Sequence, residues 1–148
     1  MIRTYLKYGA AIALALIAYF LTMKLLGWHE SPALSIFNGV IYGAGILRAM
    51  QVYKQNSSRF TYADGWQIGF LSGTVATFIF TAFMGFYMLE LNSDFANAVL
   101  GNWGITYTNG VVVMMLSTVL MGMSTAIVLS LTFMQLLKST LNPKGINA

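Results

Sequence analysis

The chain has 148 residues, 57% of them hydrophobic and only 8% charged, where an ordinary soluble domain carries about a quarter charged residues. So few charges cannot cover a water-facing surface, and the apolar residues run in long unbroken stretches, so one compact domain with lipid as its solvent is expected. The formal net charge of +4 sits at the ends of those stretches, which sets nucleic acid aside as a partner, and the absence of cysteine excludes disulfides, thiolate metal sites and cysteine nucleophiles.

The first apolar stretch is read as a span over residues 7–26, preceded by Arg3 and Lys7. A basic start before an apolar run also describes a signal peptide. However, Thr22-Met23-Lys24-Leu25-Leu26 offers no small-x-small cleavage site, so the segment is expected to be retained. The second span is predicted over 32–51, with Ser31 as N-cap and Pro32 in the first turn. The third is predicted over 66–91, entered through Thr61 as a cap and Asp64 near the positive end of the helix dipole. The segment 92–109 has no basic residue. In it, Ser93 is placed to cap a short helix with Phe95, Val99, Leu100 and Trp103 on one side, loosened or ended by Gly101 and Gly104. That helix is expected to lie in the outer interface, with a lid over a central cavity as the alternative. The fourth span is predicted over 110–137. Each span is near or above the ~20 residues needed to cross ~30 Å of hydrocarbon. The fourth, about 40 Å long at helical rise, must tilt or project.

The basic residues give these spans a direction. Arg3, Lys7, Arg48, Lys54, Arg59, Lys138 and Lys144 all fall on one side, and only Lys24 on the other. Glu30, Glu90 and Asp94 lie opposite, with Asp64 alone among the cations. This asymmetry places both termini in the cytoplasm. Tyr5, Tyr8, Tyr53, Tyr62 and Trp66 fit a cytoplasmic aromatic belt, and Trp28, Tyr87, Trp103 and Tyr107 an outer one. The expected fold is therefore an all-α integral membrane four-helix bundle.

Small residues recur every four positions along the third span, at Gly65, Gly69, Gly73, Thr77, Thr81 and Gly85. Gly39 and Gly43 form a shorter stripe on the second span, and Gly122, Ala126 and Ser130 continue the theme on the fourth. Stripes without bulk let helix backbones approach closely, which is how helices associate in lipid. The pattern suits packing within the bundle, homodimerisation or docking of a partner helix, and does not say which helix the ridge meets.

Polar groups inside spans are where function is sought. Asn38 is the only amide well within a span, and an interhelical hydrogen bond is its expected role. Lys24 and Glu90, near the outer boundary, are expected to pair or snorkel, and Arg48 to snorkel. Ser117, Thr118, Ser124, Thr125, Ser130 and Thr132 on the fourth span can bond back to their own helix carbonyls. No carboxylate or histidine falls at mid-membrane, which counts against proton-coupled transport. The single histidine, His29, adjoins Glu30, but a metal site needs three or four ligands and none cluster nearby. Met114, Met115, Met121 and Met123 lack cysteine or histidine companions and are read as packing or lipid-facing residues.

Three stretches carry a family resemblance: Leu6-Lys7-Tyr8-Gly9, the segment 46–54, and most clearly Phe60-Thr61-Tyr62-Ala63-Asp64-Gly65-Trp66-Gln67-Ile68-Gly69. Through them the chain resembles the four-span bacterial membrane family known as domain of unknown function 4199, found mainly in Bacteroidota. The outer loop departs from that pattern. The resemblance implies four helices in a cytoplasmic membrane and brings no catalytic residues.

The leading expectation is a non-catalytic, cofactor-free inner-membrane subunit that anchors or stabilises another protein, or a copy of itself. Arg48, Lys54, Arg59, Lys138 and Lys144 form a rim for anionic lipid headgroups or a peripheral partner. The alternatives are a small oligomeric transporter or channel lined by Asn38 and the fourth-span hydroxyls, and an enzyme acting on a lipid-linked substrate through His29 and Glu30.

Overall fold

The computed structural model describes residues 1–28, 35–91, 94–102, 104 and 109–138. They form α1 (Ile2–Leu25), α2 (Ser35–Asn56), α3 (Tyr62–Phe86, continued by a π-helical turn at Tyr87–Leu91), a short α4 (Phe95–Asn102) and α5 (Gly110–Lys138). Among the described residues there are no strands.

Local chemistry sets the boundaries. In α1 the apolar run ends at Gly27, whose left-handed φ of +72° only glycine adopts without cost. There the Gly27 N–H donates to the Lys24 carbonyl (3.0 Å) and the Trp28 N–H to the Met23 carbonyl (2.9 Å), so orphan carbonyls at the helix end find donors. At the start of α3, the Thr61 hydroxyl accepts from the Asp64 N–H (3.2 Å) while the Thr61 N–H donates to the Asp64 carboxylate (3.1 Å). Each closes an open backbone or side-chain valence of the other, forming a capping box.

Three of the described helices are long and apolar enough to cross a membrane: Ile2–Leu25, Tyr62–Leu91 and Gly110–Leu137. They mark the chain as a membrane protein. α2 is long enough, but Arg48, Gln51, Lys54, Gln55 and Asn56 crowd its second half and lower its hydropathy. The predicted start of that span at Pro32 lies outside the described residues. α1 begins at Ile2 and not at residue 7, because Arg3 and Lys7 leave the helix as exposed side chains and do not interrupt it.

α3 is the central helix. It packs most extensively on α1 and α5 and also on α2, while α2 touches α1 and α5, and α4 rests on α5. α5 is peripheral: among its described side chains only Gly110, Ala126, Ser130 and Met134 are buried, the last three in one narrow stripe. One core joins Ile12, Ala13 and Leu16 of α1 to Ile46, Ala49 and Met50 of α2, Ile68 and Ala76 of α3, and Ala126 and Met134 of α5.

A second core lies at the opposite end, built from Phe20, Met84, Tyr87, Met88, Phe95, Ala96 and Val99. Phe20, Tyr87 and Phe95 meet one another edge to face, with centroids 5.0, 5.6 and 5.3 Å apart, the geometry that the ring quadrupole favours. This corrects the placing of Tyr87 in an outer belt, for its side chain is fully buried. The reason is α4, which folds Phe95 over a position that would otherwise face headgroups. Lys24 is likewise not seen paired with Glu90. Its ammonium lies 4.7 Å from the Tyr87 ring centroid, a cation–π contact. The short helix expected after Ser93 is present as α4, with Phe95, Val99 and Leu100 buried; Ser93 and Trp103 themselves lie outside the described residues.

Replacing Thr61 by alanine removes one half of the capping box and is expected to lower unfolding stability by about 1 kcal/mol, measured by thermal unfolding in mild detergent, whereas Thr61→Ser should retain most of it.

Candidate functional site

The small-residue ridge of α3 faces α5, and the two helices run antiparallel. Gly65 lies against Met134, Gly69 against Ser130, Gly73 against Ala126, Thr77 against Gly122 and Gly85 against Met115. A methyl group built on Gly73 would lie 2.6 Å from Ala126 Cβ and 2.8 Å from the Tyr42 hydroxyl, and one on Gly69 2.6 Å from Ser130 Oγ. All three distances are shorter than van der Waals contact, so the absence of side chains on α3 sets how near α5 can come. Gly43 of α2 meets Leu129 and Phe133 of α5, whereas Gly39 has open space around it.

At the centre of this seam stands Tyr42. Its hydroxyl lies 2.9 Å from Thr77 Oγ1 and donates to the Gly122 carbonyl at 3.0 Å. A phenol has one proton; spent on Gly122, it leaves the Thr77 hydroxyl to donate to the Tyr42 oxygen. One side chain of α2 thereby ties α3 to α5 at the point of closest approach. Sequence reasoning passed over Tyr42, although a signal was available. It falls in the middle of the predicted 32–51 span, where a phenol needs a partner and a headgroup belt is out of reach.

Asn38, one turn earlier on α2, does not make the expected interhelical bond. Its Oδ1 is buried without a partner among the described residues, as are Ser72 Oγ, Thr74 Oγ1, Thr81 Oγ1, Tyr87 OH and Ser130 Oγ. The register explains Asn38. Met50 with Gly69, Ile46 with Gly73 and Tyr42 with Thr77 step along α2 and α3 four residues at a time. The next step sets Asn38 level with Thr81, and tyrosine reaches across the seam where the shorter asparagine does not. On α5, Thr118, Thr125 and Thr132 donate to the carbonyls of Met114 (2.8 Å), Met121 (2.7 Å) and Val128 (2.8 Å), the expected back-bonding.

The described cations other than Lys24 gather at the end where α1 and α3 start and α2 and α5 finish. Arg48 and Arg59 are exposed. Lys54 is half-buried, donates to the Leu137 carbonyl (3.4 Å) at the end of α5 and lies 6.0 Å from the Phe60 ring; a cation there complements the negative end of the helix dipole. His29, Glu30 and Lys144, and the side chain of Lys138, lie outside the described residues.

Replacing Gly73 by alanine is expected to cost about 1–3 kcal/mol through overpacking, while Gly39→Ala, with open space around it, should be neutral or slightly stabilising; chemical unfolding of both variants in micelles makes the comparison. Tyr42→Phe, which keeps the ring and removes the hydroxyl, is expected to lose ~1 kcal/mol in the same measurement.

Residues 7–103, more than half of the chain, match the model of the family described as "Protein of unknown function (DUF4199)". The chain belongs to that family. The matched region takes in α1 to α4 and stops before α5. No curated protein and no solved structure shows significant similarity to it.

Proposed function

We propose that this DUF4199 protein is a non-catalytic subunit of the bacterial inner membrane, a four-span bundle with both ends of the chain in the cytoplasm that anchors or stabilises another protein. The observation that carries this reading is how the Tyr42 hydroxyl is spent: it bonds to both the Thr77 hydroxyl and the Gly122 carbonyl, so the middle of the bundle acts as a joint between helices. The α3 ridge is consumed by that joint, which leaves the outer helix faces and the basic end for a partner. On α2, Ile36, Phe37, Gly39 and Val40 are exposed together.

The cytoplasmic placing of both ends rests on Arg3, Lys7, Arg48, Lys54 and Arg59 sharing one end of the bundle while Lys24, Glu90 and Asp94 occupy the other. A second reading, a small oligomeric transporter or channel, draws on the buried polar atoms that lack partners, Asn38 Oδ1 and Thr81 Oγ1 among them, since uncompensated polar groups in a membrane interior commonly mark a path.

Purification of the tagged chain in gentle detergent is expected to bring down a stoichiometric partner; recovery of this chain alone would count heavily against the scaffold reading. Solute flux into liposomes above that of empty vesicles would favour the transporter. Alkaline phosphatase fused to either end is expected to be inactive and a fluorescent reporter to be active, and the reverse result at either end would overturn the orientation.

A further inference from the structure

The charges at the basic end do not balance among the described residues. Its one described carboxylate, Asp64, accepts hydrogen bonds from the Thr61 N–H (3.1 Å) and hydroxyl (2.8 Å). Lys54 is turned onto the Leu137 carbonyl. Arg3, Lys7, Arg48 and Arg59 are exposed, and among the described residues none of them forms an ion pair. Glu90 and Asp94 stand at the far end of the bundle. Among the described residues no carboxylate compensates these cations, which leaves them open to an anion from outside.

Arg48 stands well further in than Arg3 and Arg59, and about 3 Å further in than Lys7. It precedes the end of α2 at Asn56 by eight residues, about 12 Å along the helix axis. The contact of Ile12 with Gly45 sets it roughly level with Gly9 of α1, past the first turns. Its α2 neighbours one and two turns further in are Ala44, exposed, and Ile41, half-buried. A guanidinium stays protonated under all ordinary conditions and presents a fork that matches a phosphate. A cation on an apolar flank is suited to a ligand that is anionic at one end and apolar beyond it. A soluble acidic protein would meet Arg59 at the turn, and free phosphate has nothing for the flank.

We infer that the basic end binds an anionic glycerophospholipid, its phosphate held by Arg48 on the α2 flank and its acyl chains laid along the apolar surface towards Ala44 and Ile41. The other cations add a general preference for negative headgroups; Arg48 makes the site local. A zwitterionic lipid is disfavoured because its own ammonium offsets the phosphate. The inference rests on the membrane-spanning part of the function proposed above and not on any partner protein.

Native mass spectrometry of the full chain, titrated in mild detergent with phosphatidylglycerol or phosphatidylcholine of identical acyl chains, tests this. Phosphatidylglycerol should be retained preferentially, with excess inorganic phosphate unable to displace it. Arg48→Gln should lower that retention about fivefold, corresponding to ~1 kcal/mol for one basic side chain at an anionic surface. Arg48→Lys should recover only part of it, because an ammonium lacks the fork, and Arg59→Gln should have a smaller effect. Equal retention of the two lipids, displacement by phosphate, or an Arg59→Gln loss as large as that of Arg48→Gln would overturn the proposal. A chain that stays in solution without detergent would instead sink the membrane reading itself, so the two failures are separable.

Discussion

Where α3 and α5 run antiparallel past Gly69, Gly73 and Gly122, their backbones come closer than side chains would permit, and the rest of the bundle is built around that approach. In lipid no hydrophobic gain drives helices together, since acyl chains are as apolar as leucine. Association has to come from dense van der Waals contact and a few hydrogen bonds. The α3–α5 seam supplies the first and Tyr42 the second, so three helices share one contact region. α1 then covers the other side of α3, where Gly9 abuts Val75 and the Ser72 carbonyl.

The two ends of the bundle are closed by different physics. At one end Phe20, Tyr87 and Phe95 pack edge to face beneath α4, with Lys24 over a ring. At the other, a capping box and a lysine on a helix C-terminus settle Asp64 and Lys54, and the remaining cations face outward. An aromatic-sealed end that carries Glu90 and Asp94 against Lys24, and an end with excess positive charge, give the molecule an asymmetry that suits a fixed orientation in a membrane.

The middle is where the anchoring and transport readings meet. A hydroxyl network that joins three helices stiffens the bundle, and stiffness suits a scaffold. Buried hydroxyls and an amide oxygen one turn beyond it, still without partners, carry a cost in a low-dielectric interior. Both properties arise from one register. The four-residue step that aligns Tyr42 with Thr77 also aligns Asn38 with Thr81, where the side chain is too short to close the gap.

Much of this was legible in the sequence because lipid imposes simple rules. Long apolar runs gave the α1, α3 and α5 helices, the four-residue spacing of small residues marked the packing face of α3, and Thr61 with Asp64 marked its start. These signals are local, and each can be read from one helix alone. Which helix the ridge meets is not local: Ala126 opposite Gly73 depends on how two segments some fifty residues apart align. The same holds for Tyr42 displacing Asn38 as the interhelical donor, and for Tyr87 leaving the interface for the core. Where helices form and which faces are bare follow from the order of residues along each segment; which bare faces meet follows from the packing, because reach across a seam depends on register and side-chain length together.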